Sequence, residues 1–419
     1  MSGGRSDVPP AMKDRSGADG AHGRAVVFMP GLRAGGGAER YAVTVATSMA
    51  GLGFETILVT LPGVTREWIE SHFGVELGGV RVVAIRNPKA WTTKLPRALQ
   101  DGVENHVWGR QVRELAPEVL VNCRYRSELT GVGTDRNIYI CHFPHHLTPP
   151  VSDPLRKGWV KLAGAVKRAA LRQGRSFLTT YDTVCANSEF TASHVRTRWG
   201  IDPVMLPPAC DQLGAGVGDR EKAIITVGRI EPYVPGVPHK RLDVLVDTFS
   251  GMTDLHQDGW ALHVVGACSP ENEEVLQRLR ERAADAPVVF HPNARWSELV
   301  DLYRASTVYW HAQGFGSDAK AMPQTQEHFG ITTVEAMSAG CIPVVIDTAG
   351  PREVVLPVDG AGRWSTPEEL QEQTRRIASM TPQDRRELSA RCVDRARVYD
   401  PDHFKERLAD IVLTDIRTR

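Results

Sequence analysis

No excess of charge marks this chain: 50 Lys and Arg balance 50 Asp and Glu, so no global field points to nucleic acid or membrane. Nothing approaches the ~18 consecutive apolar residues that a membrane span requires. The seven cysteines (123, 141, 185, 210, 268, 341 and 392) include no CxxC and no cluster with histidine at zinc spacing, which argues against a zinc motif or a disulfide framework. Such a scattered, odd set reads as reduced thiols in a cytosolic protein. The absence of a short repeat excludes a solenoid. Residues 1–22, made of Gly, Ser, Pro, Asp and Arg without an apolar core, match neither a signal peptide nor an anchor and read as a disordered tail. The expectation is a cytoplasmic protein.

What is present is an ordinary globular composition, 42% hydrophobic and 24% charged over 419 residues, long enough for two domains. Short Val- and Ile-rich runs read as buried strands at 25–30, 55–60, 80–85, 118–123, 137–143 and 182–188, because they lack polar alternation. Helical patterns lie between them at 38–51 and 97–115, and after them at 189–199. The theme restarts with strands at 223–230, 260–267, 287–292, 307–312 and 342–348, separated by helices near 241–252, 271–285, 295–306 and 332–339. Strand–helix alternation of this kind predicts an α/β fold of two doubly wound, Rossmann-like parallel sheets. Residues 23–209 form the first domain and 210–399 the second, with the Pro/Gly-rich interval 207–221 as the seam and 400–419 as a separate final segment. Ligands of such sheets bind beyond the carboxyl ends of the strands, so the loops there are the candidates for chemistry.

Three loops stand out. "MPGLRAGGGAER" joins the first strand to the first helix; Gly35, Gly36 and Gly37 permit close approach of a ligand to backbone, and a helix N-terminus favours an anion. No GxGxxG follows the strand, and a flexible turn with Glu39 on the helix dipole explains the loop equally well. In "TVGRIEPYVPGVPHKRLDVLVDTF", Arg229 leaves a strand and Lys240 opens a helix, a pair suited to a diphosphate or simply to solvent. "EHFGITTVEAMSAG" carries Glu327 and Glu335. Thr332 and Glu335 fit a capping box, which leaves Glu327 unexplained; Gly330 and the first-turn amides could hold a phosphate or sugar oxygen. Of the remaining features, "CHFPHH" follows a strand, Asn187 and Ser188 end a strand and cap the next helix, and Arg124 and Arg126 in "CRYRSE" could meet an anionic acceptor. The only Asp-x-Asp, at 400–402, places Asp402 as a helix N-cap rather than a metal ligand.

Taken together, the Gly-rich first loop, the Arg229/Lys240 pair and Glu-x7-Glu around "FGIT" closely resemble the GT-B glycosyltransferases, specifically the retaining family 4 group, from about residue 24 to 419. "YICHFP" and "CANSEFTASHVRTRWG" also resemble mannosyltransferases of lipid-linked glycan and O-antigen assembly. The resemblance implies that Arg229 and Lys240 hold the donor diphosphate, with Gly36 and Gly37 close to the phosphates. It implies further that Glu335 holds the ribose, and that Glu327 with the amides of Phe329, Gly330, Ile331 and Thr332 holds the transferred sugar. His142 would sit near the reacting carbon, and the last segment would cross back onto the first domain. Catalysis would then draw on His142, Arg229, Lys240 and Glu327, without cofactor or metal, and with retention of configuration. Glu39, Arg124 and Arg126 are the acceptor-side candidates. The insert between Arg229 and Lys240 is longer than is usual in that family. GDP-mannose is the first expectation for the donor and a UDP-hexose the second, with a glycan, lipid-linked or small natural-product hydroxyl as acceptor. A nucleotide-sugar epimerase would use the same cleft without an acceptor, and a silent binding partner would lack site residues that are present here.

Residues 156–175 hold seven Lys or Arg and no acid. At about 100° per residue, Lys157, Lys161, Arg168, Arg172 and Arg175 share one stripe. A surface helix explains it; anionic lipid or a phosphorylated acceptor is the sharper reading, giving peripheral association with a membrane face. On that reading, Arg168→Glu with Arg172→Glu weakens sedimentation with anionic vesicles or acceptor use and leaves nucleotide binding unchanged. No change in either assay removes the idea.

Overall fold

The computed structural model describes residues 22–94, 97–146, 177–216 and 220–414; the basic stripe at 156–175 and all but the last residue of the expected tail at 1–22 lie outside them. The first sheet has seven strands: β1 (Arg24–Phe28), β2 (Glu55–Thr60), β3 (Arg81–Ala84), β4 (Val119–Asn122), β5 (Arg136–Cys141), β6 (Thr183–Ala186) and β7 (Val204–Met205). They lie in the order β3-β2-β1-β4-β5-β6-β7. The second comprises β8 (Glu221–Val227), β9 (Ala261–Gly266), β10 (Val288–Pro292), β11 (Ser306–His311), β12 (Ile342–Ile346) and β13 (Gly362–Trp364), in the order β10-β9-β8-β11-β12-β13. Every pairing is parallel. The central strands are apolar along their length because helices cover both faces: β12 and β4 are buried at every position.

In both sheets the order in which strands are added reverses beside the first strand, between β1 and β4 and between β8 and β11. A crevice opens at each such point. The Gly-rich loop and the segment at 123–128 leave β1 and β4, whereas the Arg229–Lys240 and Glu327 loops leave β8 and β11. One topological rule thus gathers four separate stretches of sequence into two facing crevices.

The final helix, Pro401–Leu413, returns to the first domain: Phe404, Leu408 and Val412 are buried in the core that also holds Tyr41, Val45 and Met49. The Arg136 guanidinium donates to the carbonyls of Ile411 and Thr414 at its C-terminal end, where cations are favoured. Its N-cap is Asp400, which accepts from the His403 amide at 2.7 Å. Asp402, the residue expected there, lies two residues later, inside the first turn, because Pro401 already occupies the first helical position. Phe404→Ala leaves a cavity against Tyr41 and should cost the first domain roughly 3–5 kcal/mol in urea unfolding. A much smaller loss would mean that the returning helix is only loosely docked.

Candidate active site

Gly36 is the N-cap of the first helix, Gly37–Gly51, and the Glu39 carboxylate accepts the Gly36 amide at 2.9 Å. Half of a capping box is therefore here, with Glu39 reaching back to the N-cap amide and Gly36 offering no side chain in return, and the expected box at Thr332 is absent. There, Gly330 takes φ +96°, the left-handed region that suits glycine, and the helix Ile331–Ser338 begins one residue before Thr332. Thr332 instead faces the Tyr309 hydroxyl at 2.8 Å. That shift turns Glu335 inward, leaving it only 3% exposed. The Glu327 carbonyl accepts from Gly350 at 3.0 Å. A Cβ on Gly350 would stand 2.3 Å from the Phe329 Cα, so glycine is what lets the two loops meet.

Glu327 lies between two nitrogens, with Lys240 Nζ at 2.5 Å and His311 Nε2 at 3.6 Å from its Oε2. Burial would raise this carboxyl, but Lys240 and His311 outweigh it and hold it well below the usual range. Glu335 shows the opposite balance. Burial raises it, and Arg40 of the first domain, 3.7 Å away, only partly compensates, because that guanidinium bonds Asp211 more closely. Arg40 also lies over the Trp296 ring, 4.9 Å from its centroid.

The two halves of the constellation meet. A Cβ on Gly37 would come 3.1 Å from Ile331 Cδ1. Arg229 is 63% exposed, pairs with Glu231 at 3.4 Å, and its charge reaches Glu39 across the cleft. His142 is buried, with Nε2 2.8 Å from the Cys123 carbonyl. A carbonyl can only accept, so Nε2 bears the hydrogen and Nδ1 is the acceptor. Burial pulls this imidazole down to about 4 despite the bond to Cys123, leaving it neutral at pH 7. Arg124 is drawn aside onto the Trp108 ring at 4.5 Å, whereas Arg126 is exposed. Ser188 caps the helix Glu189–Trp199 as expected, accepting from Thr191 at 3.1 Å. The amides of Glu189 and Phe190 also donate to Glu353 of the second domain, at 2.8 and 2.6 Å. Among the described residues, no three His, Cys, Asp or Glu side chains converge as metal ligands would, and no helix is long and apolar enough to cross a membrane.

Arg40 and His311 were not singled out by sequence reasoning, although signals existed. A cation in the first turn of a helix opposes the dipole and calls for an external anion, here Asp211 and Glu335. His311 ends β11, the same strand-end position that drew attention to Arg229.

This architecture, two parallel doubly wound domains facing across a cleft with the last helix returning, is the GT-B fold. Over 94% of the chain it matches the crystal structure of Anabaena HepE in complex with UDP and glucose, with a TM-score of 0.64, 14% identity and 100% of that chain covered. Family models for "Glycosyl transferases group 1" and "Glycosyltransferase Family 4" match residues 215–399 and 35–211. The chain belongs to the family 4 glycosyltransferases. It is 25% identical over 316 residues to the GDP-Man:Man(3)GlcNAc(2)-PP-Dol alpha-1,2-mannosyltransferase of Yarrowia lipolytica, covering 67% of this chain and 47% of the relative. It is 27% identical over 191 residues to a D-inositol 3-phosphate glycosyltransferase of Geodermatophilus obscurus, covering 40% of this chain and 38% of the relative. The alignments thus span less than half the length of these curated relatives.

The buried imidazoles make stability depend on pH. His142 and His328 are each held to about 4 by burial, against an ordinary value of 6.5. Between those values the unfolded chain binds protons that the folded protein refuses, so stability falls as pH drops. Each imidazole should cost about 2 kcal/mol at pH 5. The urea midpoint should therefore be lower at pH 5 than at pH 7, with His328→Phe removing part of the difference; equal midpoints would contradict the burial argument.

Proposed function

We propose that the protein is a retaining hexosyltransferase that uses a nucleotide-diphosphate sugar, GDP-mannose first and a UDP-hexose second, and glycosylates a hydroxyl of a glycan, lipid-linked or small natural-product acceptor. The observation that carries this reading is the convergence of Lys240, Glu327, Arg229 and the Gly36–Gly37 turn on one cleft at two facing crevices. Mannosyltransferase relatives favour GDP-mannose, and the UDP complex of Anabaena HepE keeps a UDP-hexose in second place.

Transfer builds positive charge on the anomeric carbon and negative charge on the departing diphosphate. Arg229 and Lys240 meet that diphosphate, Lys240 leaving Glu327 to do so, beside the amides at the N-terminus of Gly37–Gly51. Preorganised charge of this kind is usually the largest catalytic contribution, and it stands in place of a metal ion. Glu327, an acceptor only, then takes sugar hydroxyls together with the amides from Phe329 to Thr332. Glu335 takes the ribose hydroxyls, sharing its carboxylate with Arg40. His142, neutral with Nδ1 as acceptor, faces the sugar. Retention is what the resemblance to the retaining group implies: the acceptor hydroxyl would attack from the face the diphosphate leaves, and no carboxylate is assigned as a covalent nucleophile.

Thermal shifts with millimolar UDP, GDP, ADP and dTDP test the donor. A ligand bound only by the folded state at ~100 times its Kd adds about 2.7 kcal/mol of stability, so one diphosphate should raise the midpoint selectively. Glu335→Ala should abolish that shift while the unliganded midpoint shows a folded protein. No shift with any nucleotide would favour a silent binding partner, and conversion of the sugar without an acceptor would favour an epimerase.

A further inference from the structure

His142 and Glu327 stand on opposite domains, and the residue after each meets its counterpart. The rings of Phe143 and His328 stack with centroids 4.2 Å apart and planes 8° from parallel. Arg198 lies over the Phe143 ring, 5.0 Å from its centroid, and donates to the Pro144 carbonyl at 2.6 Å. Phe190, from the same helix as Arg198, lies near both rings, at 6.1 Å from Phe143 and 6.2 Å from His328. On the second domain, the chain at His328 is held against Gly350, whose amide donates to the Glu327 carbonyl at 3.0 Å and where a Cβ would stand 2.5 Å from the His328 carbonyl carbon. The His328 Nε2 is buried without a partner. Each segment is thus held from its own side before the two rings meet.

From this geometry we propose that Phe143 and His328 are a positioning pair, fixing the spacing between His142 and Glu327 when the cleft is closed. The inference rests on the donor reading above and adds two residues to it. Adjacent residues share a backbone: holding Phe143 fixes the chain at His142, and holding His328 fixes it at Glu327. Reacting groups tolerate little displacement, since an error of about 1 Å costs on the order of a hundred-fold in rate. A flat stack fixes how closely the two segments that carry it approach along the ring normal.

The test uses the full chain, with GDP-mannose tried first and water as the acceptor, so that release of GDP with free mannose is the readout. Phe143→Ala and His328→Ala should each lower kcat about ten-fold or more, with the Kd for GDP within about three-fold because Arg229 and Lys240 are untouched. The double alanine variant should be little worse than either single one, as expected of side chains that act as a pair. His328→Phe keeps the ring and loses the nitrogens, and should restore kcat to within about three-fold of the unaltered protein. If His328→Phe is as slow as His328→Ala, the imidazole matters and the stack does not. Unchanged kcat in the alanine variants, or losses that simply multiply, would equally overturn the proposal. Failure of the donor reading looks different: the unaltered chain would release no diphosphate from any nucleotide sugar. Hydrogen exchange would then decide alone. Faster exchange at 326–331 in Phe143→Ala supports the tie between the loops, and unchanged exchange overturns it.

Discussion

A parallel sheet has chemistry at one end only. Each strand must be followed by a crossover, so all of its carboxyl-end loops gather along a single edge. Two such edges face each other in this protein, and everything in the cleft follows from that placement. Glu327, Lys240 and the Gly36–Gly37 turn are far apart in sequence, yet each needs only to leave the correct strand to arrive in the same place. The sheets determine where the site lies, and the loops determine what it contains.

Inside the cleft, charge and burial are in tension. Glu327 tolerates burial because Lys240 sits against it, and Glu335 tolerates it less well because Arg40 is shared with Asp211. The two glutamates are therefore satisfied from opposite directions, one by its own domain and one by the other. A diphosphate that draws Lys240 away would leave Glu327 buried and newly short of a partner, with His311 already 3.6 Å away. Sugar hydroxyls entering at that moment would find an acceptor in need of donors. Affinity for one part of a donor would in this way prepare the site for the next.

Much of the architecture was legible from hydrophobic runs and helical spacing. The helix expected at 189–199 is Glu189–Trp199, and that expected near 332–339 is Ile331–Ser338. β7 and β13 were missed because two or three residues, Val204–Met205 and Gly362–Trp364, carry no pattern; they are strands because a sheet edge offers them hydrogen bonds. Thr332 and Glu335 satisfied a local capping rule that the Gly330 backbone overrode. The donor-side candidates were visible as strand-end cations and carboxylates, whereas Arg40 against Glu335 and Phe143 against His328 were not. Those pairs exist only once two domains face each other, and no local window of sequence contains that fact.

Glu353 carries one further consequence. A carboxylate of the second domain accepts the first two amides of a helix in the first, so that helix is finished by a neighbour as well as by its own Ser188. When the halves separate, Glu189 and Phe190 lose those acceptors and must find water. Opening the cleft would then exchange two charge-assisted hydrogen bonds for bonds to water at a helix end whose own ladder stays intact. Glu353 would in this way favour the closed arrangement without touching the donor site.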